Sequence, residues 1–106
     1  MTVVRVPGAF ELPLAAQALA SQKRFDALIA LGCVLQGQTD HHTIVAQGAA
    51  EGIRQVSLAY KLPVIYGVIT PGTHRQARAR SSGKSLNRGA EAADAAIRMV
   101  HTLRSL

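Results

Sequence analysis

Two adjacent histidines, His41 and His42, close a glycine-punctuated stretch, Leu31–Ile44, that carries the densest chemistry in the chain. Imidazole ionises near neutral pH, so His41 is a candidate to move protons in a reaction. Gly32 and Gly37 let backbone N–H groups approach a ligand, and the start of a following helix offers unpaired N–H groups to an anion. Glu11, after the turn Gly8-Ala9-Phe10, can reach the same edge. Arg80, Lys84 and Arg88 belong to the one local excess of positive charge, Arg75–Arg88, and suit a phosphate. Each has a plainer reading. A histidine pair at a helix start can simply cap it, Glu11 can favour a helix dipole, and a basic run can be a solvated face.

Two sharper motifs do not close. Gly32-Cys33-Val34-Leu35-Gln36-Gly37-Gln38-Thr39 comes near a P-loop, but Gln38 stands where the phosphate-gripping lysine belongs. The next strand ends in Thr70 rather than a magnesium-binding aspartate. Cys33, His41 and His42 match no usual zinc spacing, and adjacent side chains diverge; no metal is expected.

The elements that must position these residues alternate. Val3–Val6 reads as a strand, broken by the segment from Pro7 to Pro13. Pro13 fits the first turn of a helix with an apolar stripe at Leu14, Ala15, Ala18 and Leu19, ending on Ser21–Arg24. Ala27–Cys33 is a second strand. The helix after the histidines places Val45, Ala49, Ile53, Val56 and Tyr60 on one face, and Lys61-Leu62-Pro63 stops it. Val64–Thr70 is a third strand, apolar enough to be covered on both faces. A short polar helix near Thr73–Arg80, a loop at Ser81–Ser85, and a last helix capped by Asn87 follow. That helix aligns Ala93, Ala96, Ile97, Val100 and Leu103. Strands alternating with helices predict an α/β fold with a parallel sheet, whose ligand site lies outside the carboxyl ends of the strands.

With 106 residues, 48% of them apolar and 17% charged, the chain is one globular domain, residues 1–106. No apolar run approaches the ~20 residues that cross a bilayer, so no membrane is expected. The single cysteine, Cys33, suits a reducing cytoplasm. The net charge of +6 raises the question of nucleic acid, but the basic residues are scattered. Phe10, Phe25, Tyr60 and Tyr66 are too few for a base-stacking platform, so no nucleic acid is expected.

In order and spacing, several blocks together resemble lumazine synthase: Val6–Pro13, Leu31–His41, Pro63–Thr70, Gln76-Ala77 with Arg80, and Asn87–Ala93. The resemblance implies a flavodoxin-like three-layer α/β/α sandwich, no metal or organic cofactor, and pentamers that stack into decamers or sixty-subunit shells, with active sites between neighbours. It implies the condensation of 5-amino-6-(D-ribitylamino)uracil with 3,4-dihydroxy-2-butanone 4-phosphate to 6,7-dimethyl-8-ribityllumazine in riboflavin biosynthesis. Carried onto this chain, Ala9, Phe10 and Glu11 hold the ribitylaminouracil. The backbone of Cys33, Val34 and Leu35 reads the pyrimidine edge. Gln38 and Thr39 belong to the phosphate-side loop, and Arg80 grips the phosphate. His41 transfers protons, with the acidic Glu91 near it. Tyr66 is the aromatic that one subunit brings to its neighbour's ring. Arg88 stands where the family often has lysine, and His42 where an aromatic is common.

Against the family's pattern the chain begins at the second strand, so the opening strand and helix are expected to be missing. In the family's order that strand lies between Val3–Val6 and Ala27–Cys33, which should therefore share no ladder. A truncated chain of this kind is expected to fold and act poorly alone. Two other readings stay open at this point: an inactive shell-forming or scaffold paralogue, and a nucleotide-binding α/β domain.

Overall fold

The apolar runs around Leu28 and Val64 build the sheet. In the computed structural model, which describes residues 1–37, 39–82 and 87–106, a 3-10 turn at Ala9–Glu11 leads into helix α1 (Leu12–Ala20) and strand β1 (Leu28–Cys33). Helix α2 (His41–Tyr60), strand β2 (Val64–Ile69), helix α3 (His74–Ser82) and helix α4 (Arg88–Arg104) follow. β1 and β2 pair in parallel, Leu28 opposite Val64 and Cys33 opposite Ile69. Parallel pairing requires a long crossover, and α2 supplies it.

The two faces of the sheet are covered differently. On one, Gly32 sits within van der Waals reach of Leu12, Ala9 and Val68. There Ala16, Ala20, Ala30, Ile53, Val56 and Val64 make the core, joining α1 and α2 to the sheet. On the other face Gly67 lies under Ala92 of α4 and beside Leu31. Helices on both sides of a parallel sheet give the α/β layering expected from the sequence. The stripe of α2 is also as expected, with Ala49, Ile53 and Val56 buried. Asn87 caps α4, its Oδ1 accepting from the Ala90 N–H at 3.0 Å.

Four expectations need correction. Val3–Val6 forms no strand, and among the described residues the sheet has two strands, not three. Its β-branched residues favour a pleated surface only where one exists to pack on, and Val3 is 70% exposed. The expected absence of a ladder between this segment and β1 does hold. In α1 the buried residues are Ala16 and Ala20, with Leu12 packed against the same core, while Leu14 stays 71% exposed. In α4 Ala96 is buried as expected, but its buried companion is Ala92, one position before the expected Ala93, and Ile97 is 61% exposed. Finally, Ser81 and Ser82 continue α3 rather than opening a loop; the rest of that loop, with Lys84 and Ser85, lies outside the described residues.

Candidate active site

At the carboxyl end of β1 the turn Ala9–Glu11 packs against both β1 and α2. The approach is set by small residues. A Cβ at Gly48 would fall 2.5 Å from the Phe10 ring, and one at Gly52 would fall 2.5 Å from Pro13. Only glycine lets α2 pass this close to the turn and to α1. Phe10 keeps one side of its ring in solvent, at 55% exposure. Glu11 closes the turn through its N–H to the Gly8 carbonyl at 3.1 Å.

The loop after β1 is tied to the loop after β2. Val34 N–H donates to the Ile69 carbonyl at 2.8 Å and Gln36 N–H to the Pro71 carbonyl at 3.0 Å. The Gln36 amide donates to the Thr70 carbonyl at 2.8 Å. Cys33, exposed, ends the strand just before these bonds.

Thr39 then sets the start of α2. Its Oγ1 accepts from the His41 N–H at 3.4 Å, and its carbonyl lies 3.1 Å from His42 Nδ1. A carbonyl can only accept, so His42 carries its proton on Nδ1. His42 Nε2 lies 3.3 Å from Thr43 Oγ1, and in the neutral ring it accepts from that hydroxyl. The two histidines therefore differ. His42 is held through both nitrogens, whereas His41 stands exposed at the first position of the helix. Gln38, between them and the strand, lies outside the described residues.

A second group of candidate residues lines a cavity of about 410 Å³ along β2, between α3 and α4. Tyr66, Arg80, Arg88 and Glu91 all border it. The start of α3, and with it the place of Arg80, is fixed by Thr73 and Gln76. Gln76 N–H donates to Thr73 Oγ1 at 3.1 Å while the Gln76 side chain accepts from the Gly72 N–H at 2.8 Å, a reciprocal cap of the box type. Arg88 Nη1 pairs with Glu91 Oε2 at 2.8 Å one turn along α4. Both side chains are about half exposed, so the pair adds ~0–1 kcal/mol and mainly orients the guanidinium. The Tyr66 hydroxyl donates to the Ala46 carbonyl at 3.3 Å, and burial pushes its pKa above 10.0.

The candidate residues thus fall into two sets. Ala9, Phe10, Glu11, Cys33, Val34, Leu35, Thr39 and His41 belong to the turn, the end of β1 and the approach to α2. None of them borders the cavity that takes in Tyr66, Arg80, Arg88 and Glu91. Within this chain Glu91 bonds Arg88. The part that Gln36, Thr73 and Gln76 play in positioning the loops went unread in the sequence. The signal for Gln76 was there, a threonine three residues before a glutamine at a helix start. Gln36 gave none, because its partner is 34 residues away. Among the described residues no three His, Cys, Asp or Glu side chains gather as metal ligands.

The family profile for 6,7-dimethyl-8-ribityllumazine synthase matches residues 1–104. The protein of that name from Coxiella burnetii (strain RSA 493 / Nine Mile phase I) is 45% identical over 103 residues, 97% of this chain and 68% of that protein. The one from Halorhodospira halophila is 48% identical over 106 residues, the whole of this chain and 68% of that protein. The alignments run through both sets of candidate residues, and this chain belongs to the 6,7-dimethyl-8-ribityllumazine synthase family.

Proposed function

We propose that this protein is an enzyme of riboflavin biosynthesis that condenses 5-amino-6-(D-ribitylamino)uracil with 3,4-dihydroxy-2-butanone 4-phosphate to 6,7-dimethyl-8-ribityllumazine, releasing phosphate and water. The observation that carries the reading is a family match that spans the chain from residue 1 to 104 and so includes both sets of candidate residues.

The chemistry asks for three things. An amine and a ketone must form a Schiff base with loss of water, phosphate must leave, and the ring must close with loss of a second water. Holding the two reactants in one geometry supplies up to ~7–11 kcal/mol in favourable systems. Phe10 offers an exposed ring face, and the turn Ala9–Glu11 beside the end of β1 takes the ribitylaminouracil. Backbone groups of Cys33, Val34 and Leu35 read the pyrimidine edge. Gln38 and Thr39 close the phosphate side. Arg80 grips the phosphate with a charge-assisted bond and stabilises it as it departs. His41 moves protons during imine formation and elimination. Arg88 and Glu91 add charge of both signs beside the phosphate, Glu91 serving His41 across the site. The condensation needs no cofactor, since both reactants bring their own reactive groups.

The site is shared between copies of the chain. What supports this is the separation of the two sets: His41 does not border the cavity that holds Arg80 and Tyr66. In a closed ring of identical subunits, a pentamer in this reading, the cavity of one copy meets the α2 start of the next, and Tyr66 reaches the neighbour's ring. The lone Cys33, exposed and unpaired, fits a cytoplasmic enzyme.

The test is turnover with both substrates, followed by the fluorescence of the lumazine product. Product formed at a rate proportional to enzyme supports the reading. Failure to bind the pyrimidine or to form product removes it.

A further inference from the structure

The opposite end of the sheet, where β1 and β2 begin, carries a second cavity of about 380 Å³. Pro63, Val100 and Leu103 give it an apolar lining, which Phe25 and Tyr60 share. Its charged lining is Lys23, Lys61 and Arg104 against the single carboxylate of Asp26. Asp26 lies 3.6 Å from Arg104. Among the described residues neither lysine has an ion-pair partner. Arg24 lies over the Phe25 ring, 4.8 Å from its centre.

The backbone singles out the same two lysines. Lys23 (φ 56) and Lys61 (φ 52) are the non-glycine residues with positive φ among the described residues. Each follows a helix: the Lys23 N–H bonds the Ala20 carbonyl at 3.2 Å, and the Lys61 N–H closes α2 on Ser57. Such left-handed positions after a helix favour glycine, and a side chain there is strained. Strain held at a non-glycine residue points to a role for its side chain, and here two such residues border one cavity.

The geometry points to a binding site for a small amphiphilic anion, an aromatic body bearing a phosphate, with the ring on the apolar lining beside Phe25 and Tyr60 and the phosphate between Lys23 and Lys61. Its position at the amino ends of the strands separates it from the reaction site at their carboxyl ends. The volume lies within the usual range for small-ligand pockets.

Phenyl phosphate is the probe, titrated into the isotope-labelled full chain with backbone amide NMR as the readout. Saturable shifts at Lys23, Phe25 and Lys61 are expected. Lys23→Gly and Lys61→Gly should each weaken binding about tenfold, an ordinary loss for one charge-assisted contact, while raising Tm because the strain is relieved. Four outcomes overturn the assignment: no saturable shifts; shifts confined to α3 and the start of α4; inorganic phosphate binding as tightly as the phenyl ester; or glycine variants that lose Tm, showing that the lysines hold the fold.

Discussion

The start of α2 and the cavity along β2 hold the two sets of candidate residues, and they are built in opposite ways. Around α2 the backbone is drawn tight. Glycines admit the turn and α1 at contact distance, Gln36 ties two loops together, and His42 is pinned through both ring nitrogens. The cavity along β2 is open, its charged pair is half in solvent, and α3 buries no residue. A tight scaffold that presents one exposed histidine suits proton transfer, where placement decides the rate. An open, arginine-bearing wall suits a phosphate that must enter and leave.

The largest expected effect tests that division directly. His41→Ala should lower kcat by ~10²–10⁴-fold, the span of general acid–base catalysis, with pyrimidine affinity little changed. At phosphorylated-ketone concentrations well below the raised KM of Arg80→Ala, mixing His41→Ala with Arg80→Ala subunits should restore activity in mixed assemblies, because some sites then draw an intact His41 and an intact Arg80 from different copies. Steady-state kinetics and mixing after reversible dissociation measure both. No recovery on mixing would place the two residues in one chain's site and end the comparison.

Next in size is packing. Ile53→Ala in α2 removes a side chain that is 2% exposed and should cost ~2–5 kcal/mol in denaturant unfolding. Ile97→Ala in α4, on the exposed face, should stay within ~0.5 kcal/mol in the isolated chain. A comparable loss at Ile97 would mean that its face is covered in solution.

This contrast also marks what the sequence could say. The stripe Ala49, Ile53 and Val56 was legible because α1 and β2, both within the chain, receive it. Leu14, Ile97 and Leu103 have the same helical spacing, yet they stay exposed. Period reveals which side of a helix is apolar and not whether anything lies against it. Val3–Val6 failed for the same reason, since β-branched residues show strand propensity but not a ladder partner. At the site, the strand–loop–helix junction around His41 could be read locally. The wall that receives Arg80 could not, because it depends on where α3 lands relative to β2 and α4.

Arg80→Ala should raise KM for the phosphorylated ketone by ~10–100-fold, as expected for loss of a charge-assisted contact of ~1.5–3 kcal/mol, while pyrimidine binding holds. Equal losses for both substrates would show that the cavity along β2 serves assembly or folding rather than phosphate recognition.

Tyr66 gives the smallest effect and belongs to both regions at once, bordering the cavity while its hydroxyl bonds Ala46 of α2. Burial raises its pKa above 10.0. In the unfolded chain the phenol ionises at its ordinary value, before the folded chain lets its proton go. The stabilisation is therefore fully present below pH 10 and is lost as pH rises through the folded pKa. Tyr66→Phe should remove this alkaline component and cost about 1 kcal/mol or less at neutral pH, the net worth of one part-exposed hydrogen bond. Denaturant midpoints across the alkaline range, compared between the two proteins, measure it. Concentration adds the sharper arm. If a neighbouring copy covers the cavity, its contact dries Tyr66 further, and the phenol should titrate at still higher pH in concentrated protein than in dilute. A titration independent of concentration would leave Tyr66 facing solvent in every assembly, and the neighbour would have to be sought on another face.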